Sequence, residues 1–234
     1  MRPSSVSTAR ARDFRARLRA WYRRHARDLP WRRTRDPYRV LVSEAMLQQT
    51  QVSRVLEFYP EFLARFPTIH HLAAAPPARV REAWEGLGYY ARARNLHKLA
   101  RHVTGAGTGG PWSSDSMGDG TLPRDPDDLR TLPGVGAYTA GAVSSFAYER
   151  RTAAVDTNVA RVLSRVFAPR LKPKRARDLK RLWLLAEAVL PRTGKATWTH
   201  NQALMELGAL VCTARVKRCD ACPVSTLCAS SETG

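Results

Sequence analysis

Apolar residues recur three and four positions apart along nearly the whole chain. The pattern runs through "FRARLRAWYRRHA", "YRVLVSEAMLQQTQVSRVLEFY", "ARVREAWEGL", "ARARNLHKLARHV", "TAGAVSSFAYE", "NVARVLSRVF", "ARDLKRLWLLAEAVL" and "HNQALMELGALV". Such a period puts one side of each segment against a core only if the backbone is helical, and no sustained two-residue alternation of strand type occurs. The expected fold class is therefore all-α, with turns where Pro and Gly intervene at "LPW", "RFPTIHHLAAAPP", "GLGYY" and "LPGVG". At 234 residues and 44% hydrophobic composition the chain can bury a real core, as one large domain or two small ones. The stretch 105–121 is rich in Gly and Ser and too poor in apolar residues to fold alone, so it reads as a surface loop.

Charge narrows the partners. Lys and Arg number 39 against 20 Asp and Glu, a formal charge of +19. A polyanion is the natural ligand, and nucleic acid is the commonest because each neutralised phosphate releases counterions. An anionic membrane surface is the rival. No run approaches the roughly 18 apolar residues of a membrane span, so that rival would need a surface helix. The opening "MRPSSVSTARARDFRARLRA" also reads like an organellar transit peptide, but it continues without a break into an amphipathic helical pattern; no secretory signal is visible.

All four cysteines fall within the last 23 residues, so they cannot staple the body of the fold. "CTARVKRCDACPVSTLC" has the spacing C-x6-C-x2-C-x5-C, with Pro223 after the third cysteine. Four thiolates so close in sequence can wrap one tetrahedral zinc or one iron–sulfur cube, and spacing alone leaves both open. A disulfide pair is disfavoured in a chain without an export signal.

Three further motifs carry chemistry beside a plain structural reading. In "LPGVGAYTAGA" the glycines permit positive φ and close backbone approach, and a helix starting at about Ala137 offers amide groups to a phosphate; the alternative is an ordinary helix–turn–helix corner. Asp156 in "AVDTNVARVLSRVF" stands where it would cap a helix, and a carboxylate held by backbone donors is expected to keep a low pKa suited to a permanently charged group beside a developing cation. Glu44 in "VLVSEAMLQQTQV" sits among apolar neighbours that would raise its pKa and leave it able to donate a proton, unless it is a surface glutamate paired with an arginine. "GLGYYARARNLHK" reads either as an aromatic and basic nucleic-acid surface or as a glycine turn followed by a helix with solvated charges.

Together, "LPWRRTRDPYRVLVSEAMLQQTQV", "GLGYYARARNLHK", "LPGVGAYTAGAV", "VDTNVARVLSRVF", "NQALMELGALVC" and the cysteine spacing resemble the helix-hairpin-helix DNA glycosylases of the endonuclease III superfamily. Within it they look most like the adenine glycosylases of the MutY type, over about Leu29 to Cys228. The resemblance implies a two-lobed helical fold. A six-helix barrel lobe with the hairpin would span 34–151, and a cluster lobe would combine 1–33 with 152–234. Cys212, Cys219, Cys222 and Cys228 would ligate a [4Fe-4S] cluster.

By the same resemblance Glu44 protonates the adenine and Asp156 stabilises the cationic sugar, with Tyr138 and Asn158 completing the catalytic set. Gln49 and Tyr89 would wedge into the gap left by the extruded nucleotide, and Gln48 and Leu87 would contact substrate or DNA. Gly134, Val135 and Gly136 would hold the DNA backbone, and Trp31, Arg32 and Gln202 would lie near the adenine pocket. The endonuclease III branch has a lysine where Tyr138 stands, so base removal without strand cleavage is expected. The implied partner is double-stranded DNA with a mispaired or damaged base, bound by a monomer in the cytoplasm at the nucleoid, with no membrane.

Two readings stand beside this one. Thymine or uracil mismatch glycosylases in the same superfamily also combine tyrosine with aspartate, and a non-catalytic iron–sulfur DNA-binding module would keep the hairpin and the cysteines. The chain stops six residues beyond Cys228, short of the further domain with which adenine glycosylases inspect oxidised guanine, so discrimination of the opposite base is not expected from it.

Overall fold

The computed structural model describes residues 6–106 and 120–231. Among them the fold is all-α, as the periodicity requires, with one isolated antiparallel bridge between Cys212 and Lys217. In chain order the helices are α1 (Thr8–His25), α2 (Pro37–Leu47), α3 (Val52–Arg65), α4 (Ile69–Ala74), α5 (Pro77–Glu82), α6 (Ala91–Val103), α7 (Pro126–Leu129), α8 (Ala137–Phe146), α9 (Thr157–Phe167), α10 (Ala176–Ala188) and α11 (Gly194–Leu210). Most of the segment 105–121, namely 107–119, lies outside the described residues. The chain divides into two compact units, Leu29–Tyr148 and the combination of Met1–Asp28 with Glu149–Gly234.

The unit Leu29–Tyr148 is built around α2, which packs on α3, α6 and α8 and is buried from Tyr38 through Met46 except at Arg39. Asp36 starts this helix by accepting from the Tyr38 and Arg39 amides, with Pro37 preset for the first turn. The stretch from Tyr38 to Tyr59 reads as one helical segment with four polar residues, Gln48–Gln51, in its middle, and the structure stops α2 at Leu47 and restarts at Val52. The break passes through Gln49 at φ +56°. The carbonyls at the end of α2 turn instead to the Arg92 guanidinium. Around this helix, α4 and α5 lie against α6, and α7 against α8. Phe62 meets Phe66 and Trp84 edge-on in the core.

In the other unit α11 packs on α1 and α9, and α10 on α9, around Phe14, Leu18, Val162, Leu163, Leu204 and Leu207. Each such side chain contributes about 2 kcal/mol on burial. Phe14 meets Phe167 edge-on at 4.9 Å. Gly208 permits the close approach of α11 to α9, since a Cβ there would lie 2.6 Å from the Asn158 Cβ and 3.1 Å from its backbone. Glu206, with no exposed surface on its side chain, accepts from the Arg27 amide at 2.9 Å and from two guanidinium nitrogens at 2.8 Å each. A buried carboxylate is tolerable when it is paired so completely.

Candidate active site and cysteine centre

Two carboxyls, a bare hairpin loop and four thiols remain once the core is accounted for. Glu44 projects from α2 and is only 4% exposed. Its Oε2 accepts from the Tyr138 hydroxyl at 2.7 Å, a pairing fixed by the packing of α2 on α8, in whose first turn Tyr138 lies. The sequence motif set Tyr138 in place of an amine; only the fold shows it joined to Glu44. Just before α8 comes the hairpin loop. Gly134 has φ +76°, and a Cβ there would press to 2.6 Å of the Asn95 Cβ, so both the turn and the close approach demand glycine. Val135 is buried and closes the turn onto the Leu132 carbonyl. Gly136 caps α8 with no side-chain hydrogen bond, and the space where its Cβ would stand is open. That leaves the helix start accessible to a ligand's oxygen atoms.

Trp31 is buried edge-on against Tyr59 at 5.5 Å, and Arg32 beside it is half-exposed. Gln48 and Gln49 form the tip between α2 and α3, while Leu87 and Tyr89 belong to the loop before α6. Gln49 and Tyr89 both adopt left-handed backbone, φ +56° and +47°, and both side chains are exposed, Tyr89 to 60%. Non-glycine residues rarely hold that conformation unless surrounding contacts enforce it.

In the other unit Asp156 is the N-cap of α9, partly exposed, with Oδ1 accepting from the Val159 amide at 2.7 Å and Oδ2 from the Asn158 side-chain amide at 2.8 Å. The chain of contacts continues. Asn158 Oδ1 accepts from Arg161 at 2.7 Å, and Arg161 also donates to the carbonyls of Gly208 at 2.8 Å and Cys212 at 2.9 Å. Gln202 is buried on α11. The expectation of a low Asp156 pKa is overturned: removal from water by the surrounding protein pushes the carboxyl above its ordinary 3.8, outweighing the Val159 and Asn158 donors and the Arg161 charge that pull it down.

Cys212, Cys219, Cys222 and Cys228 are all unpaired by disulfides and line one partly open apolar cavity floored by Val162, Val166, Leu207, Val211 and Val224. Burial, reinforced by the other three cysteines, pushes the Cys222 thiol up to about 11. Arg165 offsets that crowding at one corner, donating to the Cys212 sulfur at 3.2 Å and to the Thr213 carbonyl at 2.7 Å. Among the described residues no three His, Cys, Asp or Glu side chains converge as a single ion requires. Four sulfurs lining one cavity are a donor set suited to either a zinc ion or an iron–sulfur cluster.

Arg92, Arg161 and Arg165 were missed by sequence reasoning because arginine in so basic a chain looks like solvated charge. One signal was present for Arg92. It shares its helix face with Leu96, Leu99 and Val103, the buried stripe of α6.

A family model described as HhH-GPD superfamily base excision DNA repair protein matches residues 42–186. The chain belongs to that superfamily. It is 47% identical over 210 residues to an adenine DNA glycosylase of Mycolicibacterium smegmatis, covering 89% of this chain and 66% of that protein. To the human adenine DNA glycosylase it is 43% identical over 224 residues, 92% of this chain and 39% of the relative. Superfamily membership thus rests on nearly the whole chain, while the chain spans about two fifths of the human relative's length and two thirds of the mycobacterial one's. The solved structure of a thermostable thymine-DNA glycosylase superposes with a TM-score of 0.82 at 30% identity, covering 97% of this chain and 98% of that one. Among the described residues no helix is long and apolar enough to cross a membrane.

Proposed function

We propose that this chain is an adenine DNA glycosylase, hydrolysing the N-glycosidic bond of adenine mispaired with 8-oxoguanine or guanine in duplex DNA. The observation that carries the reading is the Glu44 carboxyl, withdrawn from water on α2 and hydrogen bonded to Tyr138 at the start of α8. A base cannot be reached inside the stack, so the nucleotide is extruded at a cost of a few kcal/mol. Glu44 protonates the adenine and turns it into a better leaving group. Asp156, in its ionised form, stabilises the oxocarbenium-like sugar. Its raised pKa serves this role, because a carboxylate that the protein leaves short of compensation gains most when positive charge develops beside it.

Tyr138 carries no amine with which to form a Schiff base, so the product is an abasic site in an uncut strand. The hairpin amides at Gly134 to Gly136 grip a phosphate whatever the sequence, and the exposed Arg215, Lys217 and Arg218 add charge toward the same polyanion. Cys212, Cys219, Cys222 and Cys228 hold a [4Fe-4S] cluster, which when bound neutralises the crowded thiolates and fixes this basic loop.

A single-turnover assay on duplexes with A opposite 8-oxoguanine, A opposite G, T opposite G and U opposite G, developed with and without hot alkali, tests the reading. Adenine loss revealed only by alkali is expected, and Asp156→Asn should abolish it while DNA binding persists. Full activity in that variant would remove Asp156 from the mechanism; no base loss from any duplex would leave a DNA-binding module. The second reading is a mismatch thymine glycosylase, favoured by the thymine-DNA glycosylase superposition. Thymine released opposite G in preference to adenine would establish it.

A further inference from the structure

Arg92 is buried, 9% exposed, and among the described residues no carboxylate pairs with it and its Nε has no hydrogen-bond partner. Burial lowers the pKa of its guanidinium. A charge kept in so costly a place without a counter-ion is poorly explained by stability. Its hydrogen bonds instead run to two separate loops. Nη1 donates to the carbonyls of Ala45 at 3.0 Å, Met46 at 2.7 Å and Gln48, the C-terminal end of α2, where the helix dipole partly compensates the charge. Nη2 donates to Leu87 and Gly88 at 3.1 Å each, and the Arg92 amide donates to the Tyr89 carbonyl at 2.9 Å. Trp84 donates to the same Gly88 carbonyl at 3.1 Å, and the guanidinium lies within 5.5 Å of the Trp84 and Tyr89 ring centres. The next residue along the first loop is Gln49, and Tyr89 follows Gly88 in the second. Among the described residues of this unit, these are the two exposed, left-handed positions that carry side chains able to enter a base stack.

From this geometry we infer that Arg92 is the positioning residue that locks the Gln49 and Tyr89 tips in one register as a preformed double wedge, so that it governs nucleotide extrusion and not the chemical step. The inference rests on the glycosylase reading for the wedge's purpose. One guanidinium fork spans both loops; an ammonium is a point donor that cannot hold five carbonyls in two directions at once. Releasing either loop frees its strained residue to relax out of the left-handed region, and the tip that must enter the stack is no longer preset.

The test compares wild type, Arg92→Lys, Tyr89→Ala and the double variant, each first checked for native helical circular dichroism. Arg92→Lys should slow single-turnover adenine excision from a fully paired duplex by about tenfold to a hundredfold. It should slow it little when the adenine faces a one-nucleotide gap and needs no unpairing. In the Tyr89→Ala background the lysine substitution should have a much smaller effect, because the two act through one wedge. The pH profile of excision should not move. Equal slowing on paired and gapped substrates, additive effects in the double variant, or an Arg92→Lys chain that no longer folds would each overturn the inference. A duplex with 2-aminopurine next to the target reports unstacking without cleavage. Wild type that unstacks it but releases no base would therefore sink the proposed activity and leave the wedge standing, while an Arg92→Lys variant that unstacks it as well as wild type would sink the wedge.

Discussion

Asp156 feels two opposing pulls. Donors from Val159 and Asn158 and the charge of Arg161 favour its ionised form, and removal from water disfavours it more strongly. The net rise fixes the sign of two pH dependences. Between 3.8 and its folded pKa the native protein holds this proton more tightly than the unfolded chain does. The group's contribution to stability is therefore full below 3.8 and is lost as pH rises through the folded value, by about 1.4 kcal/mol for each pH unit that separates the two. Asp156→Asn cannot titrate, so its unfolding free energy, followed in urea from about pH 4 to 7, should gain on wild type as pH rises. Base release should climb over the same window, because the charged carboxylate is the working form. Parallel stability curves for the two proteins would contradict the raised pKa. The N-cap role of Asp156 was legible from "AVDTNVARV", but the direction in which its pKa moves was not, since a string of letters shows the donors and not the water that packing removes.

Among the helices, the approach of α9 to α11 places the Asp156 support. Asn158 donates to Asp156 and accepts from Arg161, and Arg161 in turn bridges to Gly208 and Cys212. Gly208→Ala would put a methyl group 2.6 Å from the Asn158 Cβ and 3.1 Å from its Cα and carbonyl oxygen, neither of which can swing aside as a side-chain tip would. The helices must then separate. A loss of about 1 to 3 kcal/mol in denaturant unfolding is expected, together with slower excision on both paired and gapped duplexes, because Asn158 is displaced from the catalytic carboxylate. Unchanged stability would show that α11 can slide at no cost. The hairpin and one helix cap were readable in advance, from Gly134 and Gly136 before α8 and from Asp156 before α9. The break between α2 and α3 was not, because the four polar residues Gln48–Gln51 read equally well as an exposed helical turn, and the group that ends α2, Arg92, lies 44 residues away from Gln48.

Over the full chain, the formal charge is +19, while four thiols line one cavity, the site of the proposed cluster. Protein purified without oxygen should contain about four irons and four acid-labile sulfides per chain. Cys212→Ser should lower that iron content and the melting temperature together, since Arg165 anchors on the Cys212 sulfur. Zinc in place of iron would refute the cluster. The helical class, the turns, the positive charge, the four thiols and both carboxyls were all legible in the order of the residues, because each follows from local periodicity, composition or spacing along one chain. Packing in three dimensions was needed to bring Tyr138 to Glu44, to link Asn158 to Cys212 through Arg161, and to tie two loops together at Arg92. Those pairings join residues separated by 94, about 50 and 44 to 47 positions, and an arginine that is buried among carbonyls is spelled the same way as one in water.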